Sequence, residues 1–370
     1  MQSKTGKDSQ PGRVKPRLVL TGGGTGGHVL PLLVLARALE SQFEIFYIGS
    51  LKGPEAYLVP AASISFLAIA SGKFRRYFSL KNFWDFFSFL RGFWQAFFIL
   101  KRLKPALVFA KGGYVSLPVV LAARALGLKI FIHESDAALG LSNRIAAFFA
   151  QKVFVAFPKR FYPACYSGKM VVSGIPVLED LKEELKPSKE KNLILISGGS
   201  QGALGLNRLV LSVLPELLAK YKVVHQTGEA SYSLIAEFAK GLSSSLKKNY
   251  LFKKNFLASE LLEYRRQALL AISRAGATTL YEQAKWGLPM ILVPLPNSAN
   301  NHQLANALYL ENLGAAVVVK EETSGDKFPQ IVFKLLKDKE RLEAMRQSSQ
   351  KFALINAVEI IKREIAKTLP

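Results

Sequence analysis

Twice along this chain a short apolar run ends in a glycine-rich turn and resumes as a helix, in the same register. Arg17-Leu18-Val19-Leu20 runs into Thr21-Gly22-Gly23-Gly24-Thr25-Gly26-Gly27, and Leu193–Ile196 runs into Ser197-Gly198-Gly199-Ser200-Gln201-Gly202-Ala203. Strand, tight glycine turn and helix are the opening of a Rossmann-like unit, so the repeat predicts an α/β chain with two such units facing a common cleft. Length agrees, because 370 residues suit two domains of roughly 150–200 residues.

Other apolar runs, Phe43–Ile48, Ala106–Ala110, Lys129–His133 and Lys152–Ala156, read as strands. Pro31–Glu40, Ser116–Leu126 and Ser142–Ala150 read as helices, and a further helix starts near Leu204. A charged stretch, EDLKEELKPSKEKN, interrupts the pattern before Leu193. The boundaries expected are a disordered basic leader over 1–15, an N-terminal domain over 16–176 and a linker over 177–191. A C-terminal domain over 192–350 follows, and a last helix over 351–370 packs back on the first domain.

Glycines in such turns let an anion approach the amides at a helix N-terminus. Gly22, Gly24 and Gly27 satisfy G-x-G-x-x-G, but a dinucleotide site needs a carboxylate about 20 residues later, at the end of the second strand. That strand ends Tyr47-Ile48-Gly49-Ser50, which argues against a nicotinamide cofactor. A third turn, Lys111-Gly112-Gly113-Tyr114, follows another strand. Three anion-friendly turns suit a site that handles two diphosphates.

Of four histidines, His28 follows the first turn directly. The positive end of the helix dipole favours neutral imidazole there, the form of a general base, and sugar transfer from a nucleotide needs such a base. His133 and Glu134 end a strand and lead into Ser135-Asp136, where they orient substrate or close a buried hydrogen-bond network. No two histidines have metal-ligand spacing and no Asp-x-Asp occurs, so no cofactor and no metal are expected, with the diphosphate held by amides and cations. The single cysteine, Cys165, excludes an internal disulfide and reads as a buried or incidental thiol.

The net charge of +23 points to anionic partners, and with no recognition motif among the basic residues nucleic acid is not expected. Gly72 to Pro105 suggests a different partner. Twelve aromatic residues lie between Phe74 and Phe98, and Phe83, Phe86, Phe87, Leu90, Trp94, Phe97 and Phe98 recur at helical spacing. Lys73, Arg75, Arg76 and Lys81 flank one end, and Lys101, Arg102 and Lys104 the other. Asp85, Arg91 and Gln95 interrupt the run, which disfavours a transmembrane span. Part of this face belongs to the core; the excess is expected to lie in an anionic membrane surface, with Phe74, Arg75, Arg76, Tyr77 and Phe78 in contact.

Thr25-Gly26-Gly27-His28, Gly112-Gly113-Tyr114-Val115-Ser116, His133-Glu134 and Gly198–Ala203, followed by Ser273–Ala277, Glu282, Gly287-Leu288-Pro289 and Asn301-His302-Gln303 with Asn306-Ala307, resemble the MurG family in order and spacing. This is the UDP-N-acetylglucosamine:lipid I N-acetylglucosaminyltransferase family of peptidoglycan synthesis. The resemblance implies a GT-B fold and metal-independent, inverting transfer of N-acetylglucosamine to the C4 hydroxyl of lipid I, giving lipid II. It also implies work at the cytoplasmic face of the bacterial inner membrane, with room for contacts to other wall-synthesis and division proteins. Donor contacts are implied at Thr25, Gly26, Gly27, Asp136, Ser200, Leu257, Ala277, Thr278, Thr279, Leu280, Tyr281, Glu282 and Gln303. Acceptor-diphosphate contacts are implied at Gly23, Gly24, Gly112, Gly113, Tyr114 and Glu134.

The chain departs from the family at three places. Asp136 stands where the family has Asn, Asn300 stands where it has Asp, and Gly174-Ile175-Pro176-Val177-Leu178 lacks the amide and cation of Gly-Asn-Pro-x-Arg. Transfer to another lipid such as a diacylglycerol, or a non-catalytic scaffold role, are the competing readings.

Overall fold

Short runs of β-branched and large apolar residues, bounded by turns, are buried on both faces of a parallel sheet, and the runs at Leu18–Thr21, Leu107–Ala110, Ile130–Glu134 and Leu193–Ile196 form strands of that kind. The computed structural model describes residues 15–72, 81–181, 191–199, 202–296, 298–322 and 327–369, with 81 and 82 described by their backbone alone. Strands β1 (Arg17–Thr21), β2 (Glu44–Gly49), β3 (Ser65–Ala68), β4 (Leu107–Ala110), β5 (Ile130–Glu134), β6 (Lys152–Val155) and β7 (Met170–Val172) form one sheet in the order β3-β2-β1-β4-β5-β6-β7. Strands β8 (Leu193–Ser197), β9 (Lys222–Gln226), β10 (Tyr250–Lys253), β11 (Ala268–Ser273), β12 (Met290–Leu292) and β13 (Ala316–Val318) form the other, in the order β10-β9-β8-β11-β12-β13.

In each sheet the first strand lies inside, and the chain leaves it on one side and returns on the other. The switch points are β1/β4 and β8/β11, both parallel pairs. Ligands of such sheets bind beyond the carboxyl ends of the strands at the switch point. The turns after β1, β4 and β8 are the three glycine turns.

The first helix differs from its sequence reading. It spans Gly26–Leu39 rather than starting at Pro31. A proline near the helix start removes only the bond to the carbonyl four residues back, that of Gly27, so the helix reaches into the glycine turn and leaves its first N–H groups free. Cys165 is exposed, so of its two readings the incidental thiol holds.

The domains meet over a packed aromatic cluster. Phe157 lies 5.4 Å from Tyr309 and 5.8 Å from Phe352, and Tyr281 lies 4.4 Å from Phe352, ring centre to ring centre. The last helix, Ala357–Thr368, returns to the first domain, where Ile361 and Ile365 enter the core with Leu32, Leu35 and Phe131. Lys152 pairs with Glu364 at 3.1 Å and ties that helix to β6.

The aromatic segment forms the helix Lys81–Leu103. Ala96 and Leu100 face the core and Phe97 packs against it. The chain passes so close at Gly92 that a Cβ there would stand 2.1 Å from the Ala70 carbonyl oxygen. Phe83, Trp84, Phe86, Phe87, Leu90, Trp94 and Phe98 are exposed, with Trp84 at 71%. Among the described residues no helix is long and apolar enough to cross a membrane. The contact residues Phe74, Arg75, Arg76, Tyr77 and Phe78 lie outside the described residues, as do Ser200 and most of the linker.

Candidate active site

The first two glycine turns touch. Gly113 has φ +82°, and a Cβ on it would stand 2.3 Å from the Gly23 carbonyl oxygen, so only glycine fits. Gly24, at φ +87°, lies under the ring of Tyr114. Tyr47, on β2, donates from its hydroxyl to the Gly22 carbonyl at 2.8 Å and fixes the turn from behind. Gly23, Gly24, Gly112, Gly113 and Tyr114 are thus brought together at the first switch point, as the sequence reading places them.

One amide of the first turn already has an anionic partner. The buried Glu55 accepts from Gly24 N–H at 3.0 Å and from Ser50 N–H at 3.3 Å. Its carboxylate fills the space behind the turn, where a Cβ on Gly23 would meet it at 2.3 Å. The Gly24 N–H is thus held by an internal carboxylate.

His28 stands in the first turn of helix Gly26–Leu39, half-buried, with Nδ1 3.0 Å from the Thr25 hydroxyl oxygen. Burial lowers its pKa from 6.5 to about 4, the Lys111 cation adds to the lowering, and Asp136 opposes it. At neutral pH the imidazole carries no charge, as a proton acceptor requires. Across the cleft from this helix stands helix Ala277–Lys285: a Cβ on Gly27 would lie 3.6 Å from the Thr278 hydroxyl oxygen. Two helix N-termini, one from each domain, converge beside His28. Each carries free N–H groups and about half a positive charge, a setting suited to a diphosphate.

Sequence reasoning passed over Lys111 as a site residue. It follows β4 directly, is buried at 2% exposure, and donates from Nζ to His133 Nδ1 at 3.0 Å and to the Ser135 hydroxyl. His133 Nε2–H in turn donates to the Gly174 carbonyl at 2.8 Å. Burial lowers the Lys111 pKa to about 8 against the pull of Glu134 and Asp136. It is an ammonium at neutral pH.

Glu134 does not reach outward as an acceptor-site residue. One oxygen accepts from Asp136 N–H at 3.1 Å, the other from Gly140 N–H at 2.9 Å and Asn143 Nδ2 at 3.0 Å. It closes the loop between β5 and helix Leu141–Phe149. Asp136 accepts from Asn306 Nδ2 at 3.0 Å, and Ala137 N–H donates to Asn306 Oδ1 at 2.9 Å. Asp136 thus joins the domains instead of standing free for a donor sugar.

In the second domain the stretch from Ala277 to Glu282 divides by helical phase. Ala277, Leu280, Tyr281 and Ala284 form the buried stripe, and Tyr281 donates from its hydroxyl to the Ala156 carbonyl in the first domain. The side chains of Ala277, Leu280 and Tyr281 therefore belong to the core and the domain interface, and only their backbone groups are left to meet a donor. Thr278, Thr279 and Glu282 occupy the half-buried side. Glu282 is bonded by Arg265, which also reaches Glu179 at 3.2 Å. Burial raises the Glu282 pKa to about 7 while Arg265 pulls it down.

Gln303 accepts through Oε1 from Leu295 N–H at 2.9 Å, which turns its amide in the loop after β12. Leu257 is 70% exposed on the same rim of the sheet, after β10. Beside the helix Leu204–Leu211 of the second domain a cavity of 440 Å³ is lined by Gly205, Arg208, Leu209, Pro296, Glu321 and Glu322.

Comparison with known proteins agrees with this geometry. Residues 18–155 match the glycosyltransferase family 28 N-terminal domain and residues 193–361 its C-terminal domain. The UDP-N-acetylglucosamine--N-acetylmuramyl-(pentapeptide) pyrophosphoryl-undecaprenol N-acetylglucosamine transferase of Desulforamulus reducens is 36% identical, covering 96% of this chain and 99% of the relative. The enzyme of that name from Treponema denticola is 36% identical over 91% of this chain and 93% of its own. The crystal structure of Acinetobacter baumannii MurG superposes with a TM-score of 0.73 at 27% identity, covering 95% of this chain and 99% of that one. The kitacinnamycin glycosyltransferase, at 16% identity and a TM-score of 0.70, shares the fold. Two Rossmann-like domains with their glycine turns facing one cleft make a GT-B fold, and the chain belongs to the MurG family of glycosyltransferase family 28.

Proposed function

We propose that this chain moves N-acetylglucosamine from UDP-N-acetylglucosamine to the C4 hydroxyl of the muramyl sugar of lipid I, forming lipid II with inversion at the anomeric carbon. The observation that carries the reading is the convergence of two helix N-termini, one from each domain, beside a neutral histidine. UDP rests on the second domain, with Thr278, Thr279, Glu282 and Gln303 around it. His28 takes the proton of the acceptor hydroxyl. The hydroxyl oxygen forms the new bond to C1 as the bond from C1 to the UDP oxygen breaks, and UDP leaves with that electron pair. Amides at the helix N-termini stabilise the negative charge that grows on the diphosphate. In this reading basic groups and amides meet the diphosphate and no divalent ion is needed, so chelation by EDTA should leave turnover unchanged.

The reading sets the enzyme on the cytoplasmic face of the inner membrane, where both substrates meet. Support comes from the helix Lys81–Leu103, whose exposed rings lie beside the exposed Arg91, Lys101 and Arg102. Aromatic rings at the interface and cations on anionic lipid bind together. Incubation with labelled UDP-N-acetylglucosamine and lipid I in anionic vesicles tests the function. Label in lipid II supports it; label in a diacylglycerol instead, or in no lipid, refutes it.

A further inference from the structure

A carboxylate sealed from water must have both oxygens satisfied, and Glu55 is sealed behind the first glycine turn. It opens the short helix Glu55–Ala61 between β2 and β3. Each oxygen takes one backbone N–H: Oε2 from Gly24 at 3.0 Å and Oε1 from Ser50 at 3.3 Å. The two amides belong to different loops, one after β1 and one after β2, so the side chain staples those loops together. Three glycines make room for it. A Cβ on Gly23 would stand 2.3 Å from Oε1, on Gly53 2.1 Å from Oε2 and on Gly49 2.9 Å from Cγ. A neutral side chain of the same size cannot do the same work. A primary amide has a single acceptor oxygen and would set its NH2 group against one of the two N–H donors.

The staple reaches the cleft through one peptide group. A trans amide points its N–H and C=O in opposite directions. The Gly23–Gly24 peptide, held to Glu55 by its N–H, therefore turns the Gly23 carbonyl away from Glu55 and toward Gly113, where a Cβ would stand 2.3 Å from that oxygen. Gly24 itself lies under the Tyr114 ring, and the Tyr114 hydroxyl is hydrogen-bonded to Ser50, the other residue that Glu55 holds. Glu55 thus stands at the back of both turns at the first switch point. We propose that Glu55 is a positioning residue of the transfer, a built-in carboxylate that sets the Gly23–Gly24 peptide and, through it, the pair of touching glycine turns that hold the acceptor beside His28. The inference rests on the transferase reading above and deepens it. Glu55 meets no substrate and acts through the turns of the first domain, so its loss should be felt by the acceptor and not by the donor.

The test compares full-length wild type, Glu55→Gln and Gly53→Ala. Glu55→Gln keeps the size of the side chain but satisfies only one of the two amides. Gly53→Ala keeps the glutamate and drives a methyl group onto Oε2, the oxygen that holds Gly24. Both should raise the KM for lipid I about tenfold and leave the KM for UDP-N-acetylglucosamine within about twofold of wild type. A side chain that served only the stability of the fold would lower kcat through lost active protein and leave both KM values alone. That result overturns the proposal, as does an equal rise in both KM values. Amide hydrogen exchange reads the staple without substrate. The Gly24 and Ser50 amides should exchange slowly in wild type. One of them should exchange about tenfold faster in Glu55→Gln, and the Gly24 amide in Gly53→Ala. Unchanged exchange in the variants overturns the proposal as well. If Glu55→Gln does not fold, Gly53→Ala decides by the same two measures. If exchange behaves as described but wild type makes no lipid II, the transferase reading fails and the hold of Glu55 on the turn stands.

Discussion

The two glycine turns share a sequence pattern and a topological position but hold different groups. Around the first, after β1, the structure gathers titratable groups: the buried Lys111 and His133 and the half-buried His28 and Asp136. Around the second domain's switch point it gathers groups that grip, in ion pairs whose partners are fixed: Arg265 with Glu179 and Glu282, and Arg274 with Glu321 at 2.6 Å. The difference teaches that the repeat specifies where ligands come, while the residues delivered by neighbouring strands decide what happens to them. In the proposed function, chemistry belongs to the first half and donor binding to the second.

The division can be broken by substitution. The largest effect is expected at His28→Ala, where kcat should fall about 10²–10⁴-fold while UDP affinity measured by calorimetry stays close to wild type. Next is Glu282→Ala, which removes one partner of a buried guanidinium and a carboxylate proposed to stand beside UDP. UDP binding should weaken about 10- to 100-fold, and kcat at saturating donor should change far less. If the two variants exchange these signatures, the division is wrong.

Asn306→Ala cuts one polar link between the halves and leaves the Ala137 N–H and the Asp136 carboxylate without their partner. A loss of about 2 kcal/mol in urea denaturation is expected, with the donor KM raised. Smallest in its effect on chemistry is a Trp84→Ser, Phe87→Ser, Trp94→Ser triple variant of the exposed helix face. It should fail to sediment with anionic vesicles, yet keep its kcat on a water-soluble acceptor analogue.

Acidification sharpens the contrast further. His28 and His225 are held neutral with pKa values near 4 and 3, below the ordinary 6.5. The unfolded chain therefore binds more protons between pH 6.5 and 4, and stability must fall as pH drops through that window. His225 lies in the second domain, where Asn207 and the Tyr250 hydroxyl contact its ring. Thermal melting from pH 7 to pH 4 should show a falling Tm in wild type and a shallower fall in His225→Gln.

Much of this architecture was legible in the sequence. The twin strand–turn–helix openings gave the two sheets, and His28 was legible because it abuts a turn whose shape is dictated by glycine. Lys111 was not singled out: it is one of 50 basic residues, and only the pairing of β1 with β4 makes it a buried neighbour of the first turn. Glu55 was hidden the same way, 31 positions from the Gly24 amide it accepts from. That the side chains of Leu280 and Tyr281 are buried was missed for a different reason. A motif read as a block ignores helical phase, and the spacing of Ala277, Leu280, Tyr281 and Ala284 already marks them as the buried stripe.

The most direct test of the central claim is the stereochemistry of the product. Wild-type protein is incubated with the α-linked donor UDP-N-acetylglucosamine and lipid I, and the coupling constant of the new anomeric proton is read by NMR. Direct displacement with His28 as base requires a β-linked disaccharide on lipid II, formed about 10²–10⁴-fold more slowly in a parallel His28→Ala incubation. An α-linked product, or an undiminished β-linked product from His28→Ala, would contradict it.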